Sequence, residues 1–150
     1  SNLKWLENKL GIEPLSKAFT INWLSKQLNN HKRMIKPLLL DQKIIAGLGN
    51  IYIDEALWDA KIHPTIISNK INYDKIVDLY KSIRTILNIA IKYNGTTIIN
   101  YSYGENLNGD FQNILNIFGK TNELCKRCNT KIKKIFVAQR GTHICTKCQK

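Results

Sequence analysis

Residues 35–64 read IKPLLLDQKIIAGLGNIYIDEALWDAKIHP, and this stretch says most about the fold. Its apolar spacing predicts a first helix over residues 36–46, which Gly47 stops because glycine readily adopts the positive φ of a helix C-terminus. Asn50 stands where the side-chain cap of a second helix is expected, over residues 51–61. The stretch is therefore predicted to be two helices joined by a glycine turn.

The sequence on either side extends the helical pattern. Thr20 or Asn22 can cap a helix that runs to Asn29, and Asn72 can cap a longer one. The longer helix carries apolar residues at helical period, which is most simply a buried face: Ile76, Tyr80, Ile83, Leu87 and Ala90. The first part of the chain, residues 3–119, is therefore expected to be a mainly α domain.

Two further segments belong to this domain. Residues 3–10 can form a short helix that ends at Gly11. Residues 96–110 read TTIINYSYGENLNGD, a polar stretch with neither helical nor strand period. A loop of this length in a compact domain is usually functional or disordered.

The chain carries a formal net charge of +12, and the charge is concentrated at one end. Residues 120–150 contain nine basic residues and a single acidic residue, Glu123, whereas residues 1–119 contain 14 basic and 10 acidic residues. A basic segment of this kind is typical of proteins that bind a polyanion. No apolar run approaches the roughly 18 residues of a membrane span, which excludes an integral membrane protein.

All four cysteines lie in the basic segment, as two C-x2-C pairs separated by sixteen residues: Cys125, Cys128, Cys145 and Cys148. Two such pairs can wrap four thiolates around one structural Zn²⁺, and two disulfides are the alternative. The sequence shows no secretory signal, so zinc is favoured. His143 is then not needed as a ligand and is expected at the surface or beside the metal shell. Residues 120–150 are thus predicted to be a zinc finger.

Between the cysteine pairs the sequence predicts a β-hairpin. Residues 131–139 (KIKKIFVAQ) are rich in β-branched and aromatic residues, and residues 142–146 (THICT) can return as the second strand. Arg140 and Gly141 between them form a turn signal. Arg140 is thus expected near the hairpin tip, where a guanidinium suits phosphate recognition. From the sequence alone, a solvated turn arginine is an equal alternative.

The turn before the second predicted helix is a candidate anion site. Gly47 and Gly49 let another chain approach closely, and the helix start offers backbone N–H groups to a phosphate. A capped helix–turn–helix without a ligand is the alternative. A basic cluster just upstream favours phosphate if the two meet in space: His31, Lys32, Arg33 and Lys36. No catalytic motif accompanies these features, so the residues themselves indicate a nucleic-acid-binding module.

Three parts of the sequence, in the right order, resemble the bacterial formamidopyrimidine-DNA glycosylases. Residues 35–64 are similar to that family's helix–two-turns–helix motif, and residues 10–16 (LGIEPLS) to the segment that leads into it. The tail CKRC…VAQRGTHICTKCQK is similar to its C-terminal zinc finger. The resemblance implies a helix–two-turns–helix domain over residues 3–119, followed by a small four-cysteine β-hairpin zinc finger over residues 120–150.

The resemblance also implies which residues hold DNA. Seven residues match the family's DNA-binding positions: Lys32, Arg33, Lys36, Gly49, Asn50, Tyr52 and Arg140. Arg140 would also act in δ-elimination, where the family assigns it as the proton donor. Because a guanidinium stays protonated in proteins, we favour stabilisation of the departing phosphate instead. Residues 96–110 match the region that closes over the extruded base. The implied partner is damaged double-stranded DNA, and the implied protein is a cytoplasmic, nucleoid-associated bacterial monomer.

Members of this family are bifunctional glycosylases and AP lyases that excise oxidised purines, such as 8-oxoguanine and formamidopyrimidine, in base excision repair. Their N-terminal proline amine attacks the sugar C1′ of the flipped nucleotide, in a domain that precedes the matched part. The 150 residues therefore resemble the DNA-binding C-terminal half, which is expected to bind DNA without excising a base. The sister enzyme for oxidised pyrimidines, endonuclease VIII, and a stand-alone zinc-dependent DNA-binding module are the alternatives.

Overall fold

The computed structural model of the chain describes residues 10–94 and 113–150. Its elements follow in this order: α1 (Ile21–Asn29), α2 (Ile35–Leu40), α3 (Asn50–Asp59), a 3-10 turn (Ser68–Lys70), α4 (Tyr73–Asn94), β1 (Lys133–Val137) and β2 (Arg140–Ile144). A helical domain followed by a two-stranded hairpin confirms the predicted fold class. The helix predicted over residues 3–10 lies, but for its last residue, outside the described part, as does the loop predicted over residues 96–110.

Helices α1 and α4 begin at caps that the sequence indicates. The Thr20 hydroxyl accepts a hydrogen bond from the Trp23 backbone N–H at 3.0 Å. The Asn72 side-chain oxygen accepts one from the Lys75 backbone N–H at 2.9 Å. Each bond satisfies an N–H group that a helix start leaves without an intrahelical partner. Of the two caps predicted for α1, Thr20 is the one used.

Helix α2 ends at Leu40, well short of its predicted end. The Asp41 side chain accepts a hydrogen bond from the Lys43 backbone N–H at 3.0 Å, and this local turn competes with the helix. The residues that follow form backbone hydrogen bonds of 2.7–3.2 Å with Gly11 and Ile12. The predicted first helix is therefore wrong in its second half, because tertiary pairing takes up those backbone groups.

Helix α3 lies at the centre of the core. Residues 51–58 are all buried, so every face of the helix packs against another part of the protein. Leu24 of α1 and Ile83 of α4 belong to the same buried apolar cluster. The buried residues of α3 include Asp54 and Glu55, whose carboxylates need partners because burial removes their hydration. None of the described helices is both long and apolar enough to cross a lipid bilayer.

Strands β1 and β2 pair antiparallel, with Val137 opposite Arg140. Ala138 and Gln139 form the turn between them, with φ of 48° and 67°, the left-handed values of a tight hairpin turn. The turn predicted at Arg140 and Gly141 is therefore wrong by two positions. Arg140 is instead the first residue of β2, and it is exposed beside the turn.

A second, smaller core joins the hairpin region to the helical domain. Its buried members are Ile117, Cys125, Ile132 and Cys145, together with Trp58 of α3. A segment as short as the cysteine-containing tail builds little core of its own. Trp58, which the two parts share, therefore adds to the small core of the tail.

Candidate metal centre and nucleic-acid interface

Four cysteine side chains converge at the base of the hairpin. The Sγ atoms of Cys125, Cys128, Cys145 and Cys148 all lie within 4.8 Å of one another. Three of the Sγ–Sγ distances are 3.4, 3.6 and 3.8 Å. A disulfide needs about 2.0 Å, whereas four thiolates about 2.3 Å from a tetrahedral metal stand roughly 3.8 Å apart. The donor set therefore fits a structural metal and does not form disulfides.

Helix α3 contributes to the surroundings of this centre through Trp58. The indole N–H donates to the Sγ of Cys125 at 3.4 Å, in a buried position. The guanidinium of Arg127 lies over the same ring, 3.6 Å from its centroid, and also donates to the Trp58 carbonyl. An N–H donor beside a metal-binding sulfur orients that sulfur and spreads its charge. The C-terminal half of α3 and the cysteine cluster therefore form one unit.

The N-terminus of α3 contacts the hairpin through Asn50. The helix begins at Asn50 itself, while Gly49 occupies the cap position with φ −93° and ψ 174° and no side-chain cap. The Asn50 amide donates to the Gly141 carbonyl at 3.2 Å. The prediction that Asn50 caps the helix is therefore wrong, because its side chain turns towards β2. The amide nitrogen carries a second N–H that can serve another acceptor.

Lys36 is fully buried where α2, α3 and β2 meet. Its Nζ donates to the Asp54 carboxylate and to the Thr142 hydroxyl, at 2.7 Å each. It also donates to the Gly141 carbonyl at 3.3 Å. Burial lowers the pKa of Lys36, the Asp54 charge opposes this shift, and the nearby Arg140 charge adds to it. The ammonium is thus committed to partners inside the protein.

The second carboxylate oxygen of Asp54 binds the next residue of β2. It accepts the His143 backbone N–H at 3.0 Å and lies 3.3 Å from the Nδ1 of the same residue. The imidazole packs edge-on against Phe118, with 4.6 Å between the ring centroids. His143 is therefore buried rather than at the surface. In the described part of the chain, the group of side chains that could hold a metal ion consists of the four cysteines.

Glu55 holds the segment that leads into the zinc finger. Its carboxylate accepts the backbone N–H groups of Asn116, Ile117 and Phe118 at 2.7–2.8 Å. Burial raises the pKa of Glu55, and the three N–H groups oppose that rise. Farther along, the Gln149 side chain donates to the Ile62 carbonyl at 3.1 Å. The finger is thus fixed to the helical domain at both of its ends.

The structure brings together part of the predicted site. Lys36 and Asn50 both bind the Gly141 carbonyl, and Arg140 is the residue before it. We call these four residues the junction. Gly49, which precedes Asn50, is half-buried at the edge of the junction.

The other three predicted DNA-binding residues lie outside the junction, two at the surface and one in the core. Lys32 and Arg33 are exposed before α2, and Arg33 forms an ion pair with Asp41 at 2.8 Å. That hydrogen bond lowers the pKa of Asp41. Tyr52 lies in the core with 1% of its surface exposed.

Sequence reasoning missed the residues that hold the two domains together. The sequence indicates Asp54 and Glu55 only as acidic residues near a helix start, and it gives Trp58 no role. A signal is nevertheless present in their spacing. Asn50, Asp54 and Trp58 recur every four residues and so lie on one face of α3, which is the face towards the finger.

These features define a two-part protein, a helix–two-turns–helix domain locked onto a four-cysteine hairpin. The profile of the formamidopyrimidine-DNA glycosylase H2TH domain matches residues 10–102. The profile of the zinc finger found in FPG and IleRS matches residues 122–150. The chain therefore belongs to the formamidopyrimidine-DNA glycosylase H2TH family.

Proteins named formamidopyrimidine-DNA glycosylase are similar to this chain over nearly all of it. That of Herpetosiphon aurantiacus is 46% identical over 149 residues, which is 99% of this chain and 55% of the relative. That of Protochlamydia amoebophila is 45% identical over 154 residues, with coverages of 100% and 56%. The crystal structure of the Lactococcus lactis enzyme, non-covalently bound to an AP site containing DNA, gives a TM-score of 0.84 at 42% identity, with coverages of 99% and 53%. The chain spans about half the length of the curated relatives it matches.

Proposed function

We propose that these 150 residues form the DNA-binding part of a bacterial DNA glycosylase of base excision repair. One observation carries the proposal: the start of α3 and the start of β2 meet at Gly141, whose carbonyl accepts hydrogen bonds from Asn50 and Lys36. This contact puts the exposed Arg140 beside a helix N-terminus. A cation and a helix start both favour phosphate, so the junction combines two phosphate-binding features. The solved Lactococcus lactis relative, which holds AP-site DNA, supports this function.

In this proposal the predicted DNA-binding residues divide into two groups. Arg140, Asn50 and Gly49 touch phosphates directly, the arginine through two parallel N–H donors. Lys32 and Arg33 are exposed and extend the basic surface. The second group is buried: Lys36 and Tyr52 support that surface from behind.

Arg140 also has the proposed role in strand cleavage. A guanidinium stays protonated in proteins, so it is a poor acid. It instead stabilises the negative charge of the departing phosphate in δ-elimination. In this role Arg140 does not have to donate a proton.

One zinc ion is proposed for the cysteine cluster. The geometry of the four thiols supports a tetrahedral ion, and thiolates are ligands that zinc prefers. When bound, the ion supplies folding energy to the finger and no reaction step. Cys125, Cys128, Cys145 and Cys148 would each provide one ligand, which fixes the base of the hairpin that carries Arg140.

The chemistry proposed for the whole enzyme is excision of an oxidised purine followed by AP lyase cleavage. The names of the relatives favour this substrate over the oxidised pyrimidine of the sister enzyme. The nucleophile implied by the family is a proline amine, and the three prolines of this sequence, Pro14, Pro37 and Pro64, are internal amides. We therefore propose that the 150-residue polypeptide by itself binds damaged duplex DNA without excising a base.

Three further features complete the proposal. We propose that the chain acts as a monomer, which is what the family resemblance implies. A DNA substrate implies action at the bacterial nucleoid. The division between a helical domain over residues 3–119 and a finger over residues 120–150 is supported by Gly119, whose φ of 75° marks a change of chain direction.

A binding assay tests the proposal. Zinc-loaded protein is titrated against a fluorescent duplex with and without an abasic site, at about 50 to 200 mM salt, and the affinity is expected to fall steeply over this range. Borohydride is expected to trap no covalent complex. An affinity that does not change with salt would contradict the DNA-binding role. A trapped covalent complex would contradict the proposal that this polypeptide does not excise a base.

A further inference from the structure

A fully buried ion pair joins Lys36 of the junction to Asp54 of α3. Lys36 Nζ and Asp54 Oδ1 are 2.7 Å apart, and neither side chain has any exposed surface. Burying two charges costs hydration that their attraction barely returns, so such a pair contributes little net stability. Its directional bonds, however, fix the relative position of the elements that share it. The pair is therefore better explained by geometry than by stability.

Resting on the proposed function, we propose that Lys36 and Asp54 are positioning residues that hold β2 against α3, and that Lys36 does not itself bind phosphate. An ammonium group has three hydrogens to donate. In Lys36 they meet three acceptors, on Asp54, Thr142 and Gly141. The ammonium has no donor left for DNA while these bonds exist.

Asp54 completes the attachment. One of its oxygens accepts from Lys36, and the other accepts from the backbone N–H of His143. The pair thus binds three consecutive residues of β2, Gly141 to His143. Arg140 is the residue immediately before them. The direction in which the guanidinium leaves β2 is set by bonds that start in the helical domain.

This arrangement separates two explanations of Lys36. If Lys36 binds phosphate, its positive charge is indispensable. If Lys36 is a positioning residue, a neutral pair that keeps the shape and the hydrogen bond to His143 is sufficient. Asparagine at position 54 can still accept the His143 N–H through its oxygen, provided that Lys36 is replaced by an apolar side chain of similar length.

The experiment compares Lys36→Met, Asp54→Asn and the double variant, each checked for zinc content and for the folded fraction. Each single change leaves one buried charge without its partner, so duplex DNA is expected to bind about tenfold more weakly. The double variant is expected to return to within about threefold of the parent protein. A double variant as weak as Lys36→Met would show that the lysine charge contacts DNA and would overturn the proposal. Single variants that bind like the parent would overturn it as well.

A milder change keeps the test decisive if a single variant does not fold. Thr142→Val removes one acceptor of Lys36, together with the hydroxyl that donates to the Arg140 carbonyl at 2.9 Å, and preserves the shape of the side chain. The amide hydrogens of residues 141–143 are expected to exchange faster in this variant, and DNA to bind about threefold more weakly. Unchanged exchange at these amides would contradict a positioning role.

Two controls separate this inference from the proposed function. Asp59→Asn makes the same chemical change on α3, but the Asp59 side chain accepts from Ser82 of α4 at 2.6 Å and is not part of the junction. It is expected to bind DNA like the parent. Arg140→Ala tests the proposed function itself. If this variant binds DNA normally, the proposed function fails. Amide hydrogen exchange at residues 141–143 still tests the positioning role of the ion pair in that case.

Discussion

The two ends of helix α3 contact the zinc finger in different ways. At the N-terminal end, Asn50 and Asp54 bind the backbone of β2 through directional hydrogen bonds. At the C-terminal end, Trp58 is buried against Cys125, and Arg127 covers its ring. The first contact is polar and adjoins an exposed arginine, whereas the second is mainly apolar and adjoins the metal centre.

The two ends of α3 therefore have different roles: one contributes mainly to stability, and the other fixes the position of β2. Apolar burial contributes a large free energy that depends little on direction, and metal binding adds folding free energy. A hydrogen bond contributes only about 1 kcal/mol to net stability but fixes distance and angle. Changes at the metal end are therefore expected to alter folding, whereas changes at the exposed surface of the polar end are expected to alter DNA binding with little effect on folding.

Removing a metal ligand is expected to have the largest effect. Cys145→Ser takes away a buried thiolate, so the zinc content should fall from one ion per chain towards zero, and DNA binding should be lost with the finger. Metal analysis and nuclear magnetic resonance spectra of the finger check this. Chelation of the parent protein is the matched control, since adding zinc back should restore both properties. A Cys145→Ser protein that keeps DNA binding would refute a structural role for the metal.

Changing Trp58 is expected to have the next largest effect, and only at the metal end. Trp58→Phe keeps an aromatic ring but removes the N–H donor to Cys125, which should weaken zinc binding about 10- to 100-fold. Competition with a chelator measures the affinity. Trp23→Phe is the control, because Trp23 packs against Phe19, 5.9 Å between centroids, in the helical domain. Equal zinc affinity in both variants would show that the Trp58 N–H does not contribute to zinc binding.

Changing Arg140 is expected to affect DNA binding alone. Arg140→Ala removes an exposed side chain, so melting should hardly change, while duplex DNA should bind about tenfold more weakly. The loss should be similar for all base sequences, because phosphates carry no base identity. Arg140→Lys should recover part of the loss. Lys133→Ala, which removes an exposed charge from β1, is the control. An equal loss of DNA affinity in that variant would show that Arg140 contributes only its charge, like other exposed basic residues.

Changing Asn50 is expected to have the smallest effect. Asn50→Ala breaks the hydrogen bond to Gly141, which should cost about 1 kcal/mol of stability and weaken DNA binding about fivefold. Melting temperature and DNA affinity of the same variant check both numbers. Thr20→Ala, which removes the cap of α1 at a similar cost, should leave DNA binding intact. A folded Asn50→Ala protein that binds DNA normally would give Asn50 a structural role only.

The sequence is informative wherever the deciding chemistry is local. The caps Thr20 and Asn72 bind backbone groups three residues away, so the order of residues alone identifies them. The two C-x2-C pairs are sufficient to predict the metal site, because their spacing and composition specify a tetrahedral sulfur set.

The sequence is misleading where the deciding partner is distant. Asn50 has the local signature of a cap, but its partner Gly141 lies 91 residues later, and no local rule finds such a contact. The hairpin turn is the opposite case, because the local signal for it is a glycine that the turn does not use. Ala138 and Gln139 adopt positive φ instead, which few residues other than glycine do without a tertiary context that enforces it.

One measurement tests most directly whether the start of α3 and the start of β2 form a single phosphate-binding surface. The zinc-loaded chain, at 17.3 kDa, is small enough for amide-resolved nuclear magnetic resonance during titration with a short DNA duplex. The amides of residues 49–52 and 140–143 are expected to shift together, with the same dissociation constant, and to return together when salt is added. Shifts confined to one of the two segments, or different dissociation constants for the two, would contradict the account.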